Sequence, residues 1–320
     1  MLKLDLQKFL LNIFLEDKTK NKKHTIVSQL SMITIKSLMP SSTFIGNIID
    51  YKRFKEELSL LKYYKIDEEK CFLTDIDEKI YFKYKDKTIY TRILPLILSN
   101  KDYDVIEEEV IKNILYTTGD IESLLEWLAI SRCIFLIIEE EENILDNLKQ
   151  YVINISQREF LTKYKNLYLY DVLKSDINFE VNFERIRVSL ISLLHGVSIG
   201  KFKYLQDILK VLNGEDAQRS IGNIIENASI GKEIDYDIED SYKRISIYVM
   251  KLRKSRINPD DLRIKEYILP DVFKFKEGEV FFHSLLNRSK VIKKQVKDDS
   301  LTCYIKTRAG MYLFKRDPFN

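Results

Sequence analysis

Between Tyr90 and Lys254 the apolar residues return at three- and four-residue spacing, and little in between can stop a helix. Only 9 glycines and 5 prolines are spread over the 320 residues, so most of these periodic stretches carry no internal breaker. That combination excludes a sandwich or barrel of short strands and predicts a helical body. Helices are predicted over residues 105–116, from Asp120 as N-cap through Trp127 to Ile138, and over 144–155, 157–173, 183–195, 202–212, 217–228 and 240–254. Upstream, residues 2–14 form an amphipathic helix, 24–39 a second one stopped by Pro40, and 54–64 a third. Residues 71–89 alternate weakly and read as loop or short strand, and 92–98 is an apolar segment around Pro95.

The texture changes after Asn258-Pro259. VFKFKEGEVFF alternates around Glu277-Gly278 and LTCYIKTRAGMYLFKR around Ala309-Gly310, so each predicts a β-hairpin. The expected organisation is therefore an all-α domain over 1–256 and a basic extension over 257–320. The charge follows the same division. The whole chain carries +3, but from Ser241 onward 19 Lys and Arg stand against 9 Asp and Glu, a local net charge of +10. The remainder is then near −7. LRKSR (252–256) and RSKVIKKQVK (288–297) hold much of the excess. Such a tail is either a solvated face or a docking element. The expected partner is an acidic protein or the acidic body of a second copy, with phosphate contacts to nucleic acid as the other reading.

Several function classes find no support in the residues. No apolar run reaches the roughly 18 residues of a membrane span, the closest being 124–138, broken by Glu126 and Arg132. Three scattered cysteines argue against a disulfide framework and suit a reducing compartment, so a cytoplasmic location is expected. His24, His195 and His283 have no zinc-ligand spacing. Phosphate loops, nucleophile elbows and Cys-x-x-Cys pairs do not occur. His195 reads as a helix C-terminal residue and Cys133 as core.

Three segments carry a pattern in common. In LNGEDAQRSIGNIIENASIG (212–231) an acidic turn, Glu215-Asp216, opens a helix with small residues at Gly222, Ala228 and Gly231. TIYTRILPLIL (88–98) holds Arg92, Pro95 and Leu96. LYTTGD (115–120) holds Thr117, Gly119 and Asp120. In this order they resemble the motifs of the ADP-ribosylglycohydrolase family, over roughly residues 20–255. The fold implied is that family's helical bundle, here with a small β-containing C-terminal appendage.

The resemblance also implies a site. In the family two magnesium ions lie between a Thr-Asp-Asp-Thr motif and a later Asp-Thr-Asp motif, because Mg²⁺ requires clustered oxygen ligands. The first motif falls here at HTIVS (24–28), where Thr25 and Ser28 are the flanking hydroxyls and Ile26 and Val27 occupy the aspartate positions. In the second, Asp216 is retained, and Glu215 stands in only with a one-residue gap. Thr118 replaces the family's histidine. The expectation is a catalytically inactive relative with no catalytic residues, no metal and no cofactor, acting as a binding or structural module for a macromolecular partner. A vestigial ligand cleft would be lined by Thr25, Ser28, Thr117, Glu215 and Asp216. The alternatives are a divergent Mg²⁺-dependent hydrolase, drawing on Asp75, Asp77 or Asp120 as further carboxylates, and a reader that holds ADP-ribose without Mg²⁺. Glu215 and Asp216 also admit a simpler reading, an exposed turn in which Asp216 caps the next helix.

Overall fold

The structure, a computed structural model, describes residues 2–64, 76–173, 178–229, 238–297 and 300–317. The chain is mainly α-helical and ends in a small antiparallel sheet. The helices are α1 (Leu6–Asn21), α2 (Ile26–Ser37), α3 (Tyr51–Tyr64), α4 (Glu78–Tyr81), α5 (Ile89–Ser99), α6 (Tyr103–Leu115), α7 (Ile121–Ile138), α8 (Ile144–Asn154), α9 (Gln157–Tyr164), α10 (Phe179–Leu194), α11 (Lys203–Leu212), α12 (Ser220–Asn227) and α13 (Asp240–Arg253). A two-stranded ribbon, β1 (Leu38–Pro40) and β2 (Asn47–Ile49), links α2 to α3. Strands β3 (Val280–His283), β4 (Asn287–Lys297), β5 (Ser300–Thr307) and β6 (Gly310–Arg316) form the C-terminal sheet. No helix among the described residues is long and apolar enough to cross a membrane.

Two helices form the centre of the body. All eleven residues of α5 are buried, and Pro95 lies inside it. Proline removes an intrahelical bond at a cost only a packed neighbourhood tolerates. On α7, Trp127, Leu128, Ala129, Ile130, Cys133 and Ile134 are enclosed within the main core. Asp120 starts α7 as the sequence predicts: its carboxylate accepts from the Ser123 N–H at 2.8 Å and the Ser123 hydroxyl at 2.7 Å.

Three local expectations need correction. The second helix stops at Ser37, short of Met39, because the residue before Pro40 is driven to extended backbone and joins β1. The helix predicted over 157–173 ends at Tyr164, and a single 3₁₀ turn follows. Tyr168 and Tyr170 then leave the helix path to pack on Phe82 and Tyr81 beside α4. The hairpin predicted around Glu277-Gly278 does not form either. Residues Val272–Lys274 make a 3₁₀ turn, and β3 pairs with β4, not with the segment before it.

The sheet order is β3-β4-β5-β6, all antiparallel. The hairpin around Ala309-Gly310 is present, closed by a two-residue turn at Arg308-Ala309. A bulge at Ile292 shifts the β4 register. The inner face packs Phe281, Val291, Cys303, Ile305 and Phe314 against Leu60, Tyr63 and Tyr64 of α3. Arg316 closes that interface, lying over Phe273 and Tyr63 and paired with Asp271 at 2.9 Å. Lys294 points inward, where its ammonium reaches the Phe273 carbonyl at 2.6 Å. The outer face is covered by nothing among the described residues.

Candidate functional site

Thr25 and Ser28 come together, and what joins them is Asp17. Thr25 is the N-cap of α2, its hydroxyl accepting from the Val27 N–H. Asp17, near the end of α1, lies across that helix start and is buried. One carboxylate oxygen takes the Thr25 hydroxyl at 2.6 Å and the Asn21 amide at 2.9 Å. The other takes the Ser28 hydroxyl at 2.5 Å, the Thr25 N–H at 2.7 Å and the Ser28 N–H at 3.2 Å. Five donors thus fill one carboxylate, a helix N-terminus holding an anion supplied by the chain itself. His24 leans on Tyr242 and shares a 2.9 Å hydrogen bond with Ser28. Burial pushes its pKa down, against the opposing pull of Glu239 and Asp17.

Thr117 belongs to a different network, centred on Arg92. That guanidinium is fully enclosed. It donates to Asp86 at 2.9 Å, Thr88 at 3.2 Å, Asn113 at 2.9 Å and Thr117 at 2.8 Å. Burial alone would raise the Asp86 carboxyl, but Arg92 and the two Thr88 donors outweigh it and hold it below the ordinary carboxylate range. The Arg92–Thr117 bond joins two of the three motif segments, 88–98 and 115–120. Gly119 completes the turn, since a β-carbon there would lie 2.6 Å from the Tyr81 ring.

The third segment opens as a helix stop. Gly214 follows α11 with φ of +80°, its N–H bonds the Val211 carbonyl, and the Glu215 N–H bonds the Lys210 carbonyl. That is a Schellman end, which calls for glycine at this point. Glu215 and Asp216 follow it as exposed turn residues. Asp216 does not cap the next helix, which begins only at Ser220. Asp207 of α11 does so instead, accepting from the backbone N–H groups of Gln218 (2.7 Å), Arg219 (3.0 Å) and Gly222 (3.1 Å). Gly231 and Asp75 lie outside the described residues.

The five residues assigned to a cleft therefore stand in three places: Thr25 with Ser28 on Asp17, Thr117 on Arg92, and Glu215 with Asp216 in solvent. Among the described residues no hydrogen bond or ion pair joins one group to another. As placed, they do not fit Mg²⁺. The Thr25 and Ser28 hydroxyls are held by a carboxylate that has no free lone-pair direction, the Thr117 hydroxyl accepts from a guanidinium, and Ile26 is packed in the core.

A cleft of about 310 Å³ lies elsewhere, between α6, α7, α8 and α9. Tyr151, Phe160 and Tyr164 floor it, and Glu107, Glu159 and Lys163 stand at its rim. Two of its polar side chains already have partners. Tyr151 donates to Glu107 at 2.5 Å, and the Lys163 ammonium sits 4.9 Å from the centre of the Tyr164 ring.

The outer face of the C-terminal sheet differs from both. Cross-strand register lays its side chains out in rows. Phe282 pairs with Arg288. Val280, Lys290, Lys306 and Met311 form the next row, Lys293, Tyr304 and Leu313 the third, and Gln295, Thr302 and Lys315 the fourth. Five of these side chains are cationic and none is acidic. Lys315 has Asp317 at 3.1 Å. Arg288, Lys290, Lys293 and Lys306 have no carboxylate partner among the described residues. Val280, Phe282, Met311 and Leu313 are each about half exposed on the same face.

No family model, no curated protein and no solved structure matches this chain.

Sequence reading locates the basic run but not the face. Plain alternation would put Lys290, Ile292 and Lys294 together. The bulge at Ile292 instead puts Lys290 with Lys293 outside and sends Lys294 under the sheet. Asp17, Asp86 and Asp207, the three buried carboxylates that organise the motif segments, carry no sequence signal that marks them off from other acidic residues.

Proposed function

We propose that this chain is a binding module, a degenerate relative of the ADP-ribosylglycohydrolases in its helical body, that takes a polyanionic macromolecule on the outer face of its C-terminal sheet. The observation that carries this reading is the set of four cations, Arg288, Lys290, Lys293 and Lys306, on one open face with no acidic side chain in any register position. Charges so placed attract a partner with repeated negative groups and steer its approach. The hydrolase side of the resemblance draws no support from the geometry, since the hydroxyls of Thr25, Ser28 and Thr117 are engaged in holding helices together. A reducing, cytoplasmic setting suits the buried free thiols of Cys133 and Cys303.

The test is binding of the full chain to heparin, a polyanion without bases, followed across a salt titration. The proposal expects retention that falls steeply with salt and is largely lost when Lys290, Lys293 and Lys306 are changed together to Ala. Retention that survives this triple change would place the contact elsewhere and overturn the reading.

A further inference from the structure

We infer that the partner on this face is single-stranded nucleic acid, with Phe282 and Tyr304 as stacking platforms for bases and Arg288, Lys290, Lys293 and Lys306 as phosphate contacts. The inference rests on the proposed polyanion-binding role of the face and specifies its occupant.

An electrostatic face alone would need only cations, yet here aromatic and aliphatic side chains alternate with them. Phe282, 51% exposed, stands directly opposite Arg288 on the neighbouring strand. Tyr304 stands between Lys293 on one side and Leu313 on the other. Each ring therefore has a cation within one strand spacing, roughly 5 Å away. A nucleic-acid strand presents the complementary pair, a flat π-face and an anionic phosphate in each repeat. A carboxylate-rich protein surface would satisfy the lysines and leave the half-exposed Phe282 ring and the partly exposed Tyr304 ring without a matching partner.

The geometry selects the strandedness. Phe282 on β3 and Tyr304 on β5 are two strands apart, roughly 10 Å across the sheet, and two rows apart, roughly 13 Å along it. Bases reach rings spaced this way only when they are splayed out, which a duplex does not permit. Nor, among the described residues, does a helix or ribbon project from this face to enter a groove. The Lys290–Lys306 pair lies in the adjacent row, where a strand running from one ring to the other would carry its backbone.

The experiment is fluorescence anisotropy with the full chain and four probes: a 15-nucleotide oligo(dT), a 15-nucleotide oligo(U), a 15-base-pair blunt DNA duplex and polyglutamate. The expected result is binding of at least one single strand about tenfold or more tighter than the duplex. Tyr304→Ala and Phe282→Ala should each weaken it by roughly 5- to 100-fold, the loss of one stacked base. Tyr304→Phe keeps the ring and should restore it, which separates stacking from damage to the fold. Equal binding of all probes with no effect of either alanine, or preference for the duplex or for polyglutamate, would overturn this inference and leave the polyanion-binding reading standing. Failure of the chain to bind any of the four probes or heparin would overturn both.

Discussion

Lys290 of β4 and Lys306 of β5 face each other directly across the C-terminal sheet, and neither has a carboxylate partner among the described residues. Like charges in this position weaken a strand pair. The sheet carries the repulsion because its other face supplies the cohesion. Val291, Cys303, Ile305 and Phe314 are all fully buried there. Stability and surface chemistry are thus divided between the two faces, and the outer one is free to be unfavourable in isolation.

Arg92 should be among the most sensitive positions in the body. Replacing it with Met leaves the Asp86 carboxylate buried without its countercharge and frees the acceptors on Asn113 and Thr117. The expected loss is about 3–5 kcal/mol, measured by urea unfolding. Adding Asp86→Asn to Arg92→Met should recover part of it, because the uncompensated charge is the larger problem. Full additivity of the two changes would contradict the network as described.

Glu126 supplies a pH dependence of known sign. It lies on α7 and accepts the Tyr204 and Leu205 N–H groups at the start of α11, where Phe202 offers no side-chain cap. Burial raises its pKa from 4.5 to about 7, although both backbone bonds work against the shift. The folded state therefore holds a proton that the unfolded state has released. The stability this group contributes is complete below about 4.5 and is lost as pH rises through about 7. Glu126→Gln keeps an acceptor for both amides and removes the titration. The wild type should lose up to roughly 3 kcal/mol more than the variant between pH 4.5 and 8, read from urea midpoints. Parallel curves for the two proteins would show that Glu126 does not titrate in this way.

Gly222 lets α12 sit directly against Asp207 of α11. A β-carbon there would lie 2.2 Å from Asp207 Oδ2 and 2.8 Å from Ala217 Cβ. Gly222→Ala should push Asp207 off the three amides it caps and cost about 1–3 kcal/mol. Gly200→Ala is the control: no atom lies within 4 Å of its added carbon, and its melting temperature should stay within about 2 °C of wild type.

The helical body was legible because its signals are local. The Asp120 cap, the periodicity of α6, α8 and α11, and the two-residue turn between β5 and β6 are each decided within a few residues. What escaped depends on partners distant in the chain. Asp17 meets the start of α2 only because α1 and α2 pack, and Asp207 caps a helix that begins thirteen residues later. Tyr168 and Tyr170 leave the predicted helix for rings on and beside α4. The Glu277-Gly278 turn looked like a hairpin because both flanks alternate, yet β3 finds its partner on the other side, in β4. Of the candidate site residues, Thr25, Ser28 and Thr117 stand out in the sequence as hydroxyls at motif positions. In the fold these hydroxyls serve as helix-start and turn contacts.

The most direct test of the account is Lys306→Glu, with stability and heparin binding measured on the same preparation. The introduced carboxylate would meet Lys290 as an opposite charge, so the account predicts a sheet at least as stable as wild type, by up to about 1 kcal/mol. It also predicts a clear loss of heparin binding, because a negative charge now stands in the middle of the face. Undiminished binding by a folded, equally stable variant would contradict the claim that this face takes the partner.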